Sequence, residues 1–200
     1  MVRQKRIGVL GGTFDPIHLG HLIIAQYALE AASLDRVIFI PAGRPYMKKR
    51  AISSAIDRLT MVELAIKDGR RFESSDVDIN RAGPTYTIDT LKELRAKSGM
   101  TTELFLIIGA DSVAELPRWH KLKELIAMCT ILAFARPGVK MEIAPEIRNK
   151  IRLVRAPLID ISATEIRKRA KAGKEIRYIV PEQVRNYIKK RGLYKKNGKS

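Results

Sequence analysis

Two histidines stand three residues apart in "LGGTFDPIHLGHL", the stretch from Leu10 to Leu22. At that spacing His18 and His21 share one side of a helical turn. Gly11 and Gly12 precede them, after an apolar run. Glycines that follow a strand let backbone approach a ligand closely, and a helix start offers unpaired N–H donors at the positive end of its dipole. Beside such donors, imidazoles can hydrogen-bond phosphate oxygens, and their unperturbed pKa of ~6.5 lets them gain positive character as charge develops. The stretch matches neither G-x-G-x-x-G nor G-x-x-x-x-G-K-[ST]. A zinc site would need further Cys, His or carboxylate ligands close by, which the segment lacks. Plain packing of both rings stays open as the simpler reading.

A second constellation lies near the other end, in "ISATEIRKR". Ser162-Ala163-Thr164-Glu165 has the capping-box pattern, which predicts a helix start there. Arg167, Lys168 and Arg169 follow within the expected first turns, where cations oppose the helix dipole. A bound polyphosphate would remove that conflict, with Ser162, the local N–H groups and Arg167 holding its oxygens. A cap alone is the alternative.

Elements able to position these residues recur along the chain. "RIGVLGG", "RVIFIPAG", "ELFLIIGAD", "TILAFARPG" and "IRLVRAPLIDI" read as strands. Apolar positions at three- and four-residue spacing predict helices over 19–32, 55–67, 87–97 and 122–128. "SATEIRKRAKAG" and "PEQVRNYIKKRG" predict two short helices stopped by Gly173 and Gly192, with Pro181 at the first turn of the second. Alternating apolar strands and helices mean a doubly wound parallel α/β sheet, helices on both faces, with a small C-terminal helical region. Ligands in such sheets bind beyond the carboxyl ends of the strands, and both motifs follow predicted strands. One domain over 1–200 is expected, with a basic, partly flexible tail from about 188.

The 200 residues are 46% apolar, enough for a sizeable core. No apolar run approaches the ~20 residues of a membrane span, and the start of the chain lacks a signal-peptide core. Cys129 is the lone cysteine and sits in an apolar run, so it reads as packing. A cytoplasmic protein without membrane association is expected. The net charge is +17, and residues 140–200 hold 18 Lys or Arg against 6 Asp or Glu. Such a surface attracts polyanions, whether nucleic acid or small phosphate-rich molecules.

"GGTFDPIHLGH" together with "ISATEIR" resembles the nucleotidyltransferase superfamily, which shares an H-x-G-H element with class I aminoacyl-tRNA synthetases. "GPTYTIDTLKEL", "LFLIIGADSVAELPRWHKLKEL" and "ARPG" are similar, in order and spacing, to bacterial nicotinate-mononucleotide adenylyltransferases; the likeness covers roughly residues 5–194. The resemblance implies a Rossmann-like fold and adenylyl transfer from ATP to nicotinate mononucleotide, giving deamido-NAD and pyrophosphate, with ATP-bound Mg²⁺ assisting and no protein metal ligand. Carried over residue by residue, His18 and His21 contact the ATP phosphates, His18 nearest the transferring phosphorus. Gly11, Gly12, Thr13 and Phe14 form the phosphate turn. Gly109 also meets ATP, Asp111 holds its ribose hydroxyls, and Ile161, Ser162 and Arg167 meet the nucleotide and leaving pyrophosphate. Lys48, Thr85, Tyr86, Trp119 and Arg136 belong to the nicotinate mononucleotide, with Trp119 stacked on the ring. His120 is expected at the surface. Where the family carries P-P-H-K, this chain has Pro45-Tyr46-Met47-Lys48, so Lys48 or Lys49 grips the triphosphate.

That chemistry suits the residues. A phosphate nucleophile is already ionised at neutral pH, its second pKa being ~6, so no general base is required. Alignment of two anions and stabilisation of the leaving group remain. A carboxylate on the acceptor ring needs donors only, and N–H groups at a helix start near Thr85 and Tyr86 could supply them. Transfer to nicotinamide mononucleotide or phosphopantetheine, and cytidylyl transfer, are the neighbouring alternatives. A basic RNA-binding module is the alternative of another class, though no RNA-recognition motif is present and no nucleic-acid partner is expected. Homo-oligomers are compatible with the sequence.

Overall fold

Strand residues buried toward both faces set the architecture. In the computed structural model, which describes residues 4–44, 53–99, 101–135, 137–138, 141, 143 and 145–195, six strands form one sheet: β1 (Arg6–Gly12), β2 (Arg36–Pro41), β3 (Phe72–Ser74), β4 (Glu103–Gly109), β5 (Cys129–Phe134) and β6 (Ile151–Val154). Their order is β3-β2-β1-β4-β5-β6, and each neighbouring pair is parallel. The helices between and after them are α1 (Leu19–Ala31), α2 (Ala55–Ile66), α3 (Val77–Asn80), α4 (Thr87–Ser98), α5 (Ala110–Glu115), α6 (Leu122–Met128), α7 (Ala163–Lys171) and α8 (Glu182–Arg191). Two 3₁₀ turns, Leu116–Arg118 and Pro145–Lys150, complete the chain.

Because side chains alternate across a strand, each strand feeds two cores. Val37 and Phe39 of β2 pack with Ala28 and Leu29 of α1, Met61 and Val62 of α2, and Val184 and Ile188 of α8. Ile38 and Ile40, one residue out of phase, pack with Ile88 and Leu91 of α4 and Leu125 of α6. Helices therefore cover both faces, as the near-continuous apolar strands require. Cys129 is buried at the start of β5, with its thiol on the Leu125 carbonyl at 3.4 Å. Burial pushes that thiol up to about 12, so it is a packing group.

The strand order turns at β1: the chain leaves β1 toward β2 and β3, then returns to the other side as β4, β5 and β6. The connections after β1 and β4 diverge, and a crevice opens at their carboxyl ends. Two local expectations change, and one strand, β3, was not expected. β6 was predicted to run to 161 but stops at Val154, paired to Phe134 where β5 itself ends, and Pro157 lacks an N–H with which to extend the ladder. β3 is only three residues long, too short to show alternation. Within the basic stretch expected as a tail from 188, the described residues 188–195 instead complete α8 and return to the core, with Ile188 and Tyr194 buried. No helix among the described residues is long and apolar enough to cross a membrane.

Candidate active site

The turn after β1 delivers the histidines. Phe14 takes a left-handed backbone (φ 50°) and buries its ring. A Cβ on Gly12 would sit 3.1–3.3 Å from that ring, so glycine is what lets the turn fold over Phe14. His18 has an extended backbone and caps α1. Its N–H donates to His21 Nδ1 at 3.2 Å. The two rings stack with centroids 3.8 Å apart, and Phe14 meets His21 edge-on at 5.0 Å. His18 is only 7% exposed. The expectation of a shared face is met, and packing of the rings proves compatible with facing the cleft.

On the opposite wall Ser162 caps α7 and accepts from the Glu165 N–H at 3.2 Å. Arg167 reaches across: one guanidinium nitrogen donates to the Asp15 carbonyl at 2.7 Å, another to Thr164 Oγ1 at 3.2 Å. Two segments 152 residues apart are thereby joined. The expected conflict of cations with the dipole of α7 is not found. The helix has nine residues, so Lys168 and Arg169 fall in its last turn, where positive charge is favoured. Arg169 closes that end on the Glu175 carbonyl at 2.8 and 3.1 Å.

Between these walls lies a cleft of about 840 Å³ at the carboxyl ends of β1 and β4. Gly11, Gly12, Thr13, Phe14, His18 and His21 line it, as do Gly109, Asp111, Ile161, Ser162 and Arg167. Thr85, Tyr86 and Trp119 line its other end. Every predicted site residue that the structure describes is thus gathered on one cleft. Lys48 and Arg136, with Lys49, lie outside the described residues.

Closer geometry refines the ring-binding end. The Thr85 N–H is already donated to the Arg44 carbonyl at 3.0 Å, and Thr85 Oγ1 accepts from the Arg44 N–H at 3.1 Å. Thr85 therefore braces the segment after β2, while Thr87, the first residue of α4, also lines the cleft. Trp119 is half-buried against the core. His120 is exposed as expected, yet it lines the cleft and lies 4.4 Å from the Tyr86 ring.

Sequence reading missed several supports. Arg58 is 1% exposed inside α2 and donates to the Thr13 carbonyl at 2.8 Å and the Gly43 carbonyl at 3.4 Å. Burial pushes its guanidinium down from the ordinary arginine range, against the Asp15 charge. Asp78 lines the cleft from α3; it accepts from Thr90 at 2.5 Å and Arg81 at 2.7 Å, and burial pushes its carboxyl up. Neither carries a sequence signal, since each looks like one more charged residue on a helix.

The fold and cleft define a doubly wound α/β protein with an anion-suited crevice at its topological switch point. Residues 9–169 match the family described as cytidylyltransferase-like, and the chain belongs to that family, in its nicotinate-nucleotide adenylyltransferase branch. A Dehalococcoides mccartyi protein (strain BAV1) named "Probable nicotinate-nucleotide adenylyltransferase" is 45% identical, covering 94% of this chain and 97% of its own. A protein of the same name from Thermoanaerobacter sp. (strain X514) is 44% identical over 98% of each chain. Among solved structures, Plasmodium falciparum nicotinic acid mononucleotide adenylyltransferase complexed with NaAD superposes with a TM-score of 0.80 at 20% identity, covering 96% of this chain and 98% of that one. That last likeness shows the fold.

Proposed function

We infer that this chain transfers the adenylyl group of ATP to nicotinate mononucleotide, giving deamido-NAD and pyrophosphate. The observation that carries the reading is the meeting of the His18–His21 turn and the Arg167 helix on one cleft, joined at 2.7 Å through Asp15, in a chain about 45% identical to relatives of that name.

The triphosphate lies between the two walls. Gly11 and Gly12 admit it close to backbone; a Cβ on Gly11 would meet nothing within 4 Å, so that face is open. His18 and His21 donate to the phosphate oxygens as charge builds on the transferring group. Arg167 and Ser162 hold the departing pyrophosphate, and Asp111 takes ribose hydroxyls. Lys48 is assigned to the triphosphate and Arg136 to the mononucleotide. The acceptor ring stacks on Trp119, its carboxylate toward the Thr87 amide at the start of α4. Its phosphate attacks in line, already ionised, without a covalent enzyme intermediate. An amide at that position turns an N–H toward a donor, which costs about 1–3 kcal/mol.

Among the described residues no three His, Cys, Asp or Glu side chains gather to hold a metal ion. Asp15 and Asp78 in the cleft are already hydrogen-bonded within the protein. Mg²⁺ enters with ATP as part of the substrate, keeping most of its ligands from phosphate oxygens and water. The enzyme would work in the cytoplasm, where ATP is at hand.

The test is pyrophosphate release from ATP and Mg²⁺ with a panel of acceptors. Nicotinate mononucleotide should give the highest kcat/KM. A higher value for nicotinamide mononucleotide or phosphopantetheine would replace the assignment.

A further inference from the structure

A residue far from both motifs is tied into the phosphate turn. Past Gly192, which ends α8 with a left-handed backbone (φ 63°), the chain bends back and buries Tyr194. Tyr194 is itself left-handed (φ 65°), which a bulky side chain adopts only when held. Its phenol donates to Asp15 Oδ1 at 2.6 Å. Ser53 Oγ donates to the phenol oxygen at 3.0 Å, and the Ser53 N–H to Asp15 Oδ2 at 3.4 Å. Asp15 is 3% exposed, and its carbonyl is the acceptor that orients Arg167. Burial, with the Asp15 charge adding to it, pushes the phenol above its ordinary range, so it remains a donor.

We propose that Tyr194 is a positioning residue for adenylyl transfer: through the Asp15 carboxylate it fixes the turn that carries Thr13 and the carbonyl that aims Arg167. The inference rests on the reaction assigned above. A carboxylate buried beside a site for phosphates would repel them or swing if its donors were missing. With both oxygens held, the carboxylate cannot swing toward the phosphates, and the backbone carbonyl is left for Arg167. A hydrogen bond to a charged group can be worth a factor of about ten to a hundred.

The molecule contains its own control. Tyr187, on α8, donates to Asp57 Oδ1 at 2.8 Å, and Asp57 belongs to α2 and does not line the cleft. Tyr194→Phe and Tyr187→Phe should both lower the melting temperature. Only Tyr194→Phe should lower kcat, by about tenfold or more, with KM for nicotinate mononucleotide within about twofold of the parent, because the ring-binding end is not on this network. Combined with Arg167→Lys, the Tyr194→Phe loss should shrink, since both act on one geometry. If Tyr194→Phe does not fold, Ser53→Ala keeps the Asp15 contacts and should show a smaller kcat loss of the same kind. An active parent whose two tyrosine variants have equal kcat, or losses that multiply fully with Arg167→Lys, would overturn the role of Tyr194 alone. A parent that releases no pyrophosphate with nicotinate mononucleotide would overturn the reaction.

Discussion

At the start of α1 the groups facing the cleft are rings: His18 stacked on His21, with Phe14 edge-on beneath. No acidic residue occupies that first turn. At the start of α7 the groups are a serine cap, an acidic Glu165 and the guanidinium of Arg167, with exposed Thr164 as a partner. The first helix start joins ring packing to the neutral His18–His21 hydrogen bond, while the second adds charge to its hydrogen bonds. A site that moves negative charge from one end of a triphosphate to the other has use for both. In the proposed transfer, the packed end would keep its geometry as the phosphorus changes partners, and the cationic end would receive the charge that leaves.

The contrast can be broken by substitution, and the largest effect should come from the packed end. His18→Ala should keep a cooperative unfolding transition by circular dichroism while pyrophosphate release falls roughly a hundredfold or more. Loss of the folded state itself would reassign His18 to the core. At the charged end, Arg167→Ala should lower kcat by about ten- to a hundredfold. Arg167→Lys should restore only part, because a point charge cannot span Asp15 and Thr164 together. Full activity in Arg167→Ala would remove the cationic wall from the mechanism.

Packing can also be sharpened away from both helix starts. A Cβ at Gly43 would collide with the Asp78 carbonyl, a backbone group with little room to yield. Gly43→Ala should cost about 1–3 kcal/mol in chemical denaturation, and an unchanged midpoint would show that the segment after β2 gives way easily. The smallest expected effect lies beyond α7. Glu175 accepts from Arg185 at 2.8 Å and from the N–H groups of Ile176 and Arg177, and these hold its carboxyl at about 2. A depressed folded value contributes stability that is fully present above the unfolded value of roughly 4.3 and is lost as pH falls toward about 2. Glu175→Gln should therefore lower thermal stability slightly at neutral pH, flatten its acid limb between those values, and match the parent once pH falls to about 2. An acid limb identical to the parent's would assign that sensitivity to other carboxylates.

Much of this was legible in the residues. Continuous apolar runs bounded by glycine announced β1, β2, β4 and β5, and a cap pattern at Ser162 placed the start of α7. The cleft was legible because its lining follows strands directly, so that finding the strands found the site. What escaped was held by partners distant in sequence. Arg58 looks like any helical arginine until Thr13 and Gly43 are brought to it. Tyr194 sits in a basic stretch that reads as solvated, and only the fold supplies Asp15, 179 residues away. The stop at Gly173 already makes α7 short, and counting its charges from the Ser162 cap alone misplaces them.

Trp119 has a practical consequence. It is the only tryptophan in the chain and it borders the crevice. Excitation near the red edge of protein absorbance therefore addresses a single indole, and quenching on titration with nucleotide would follow occupancy without any label. The protein carries its own optical gauge.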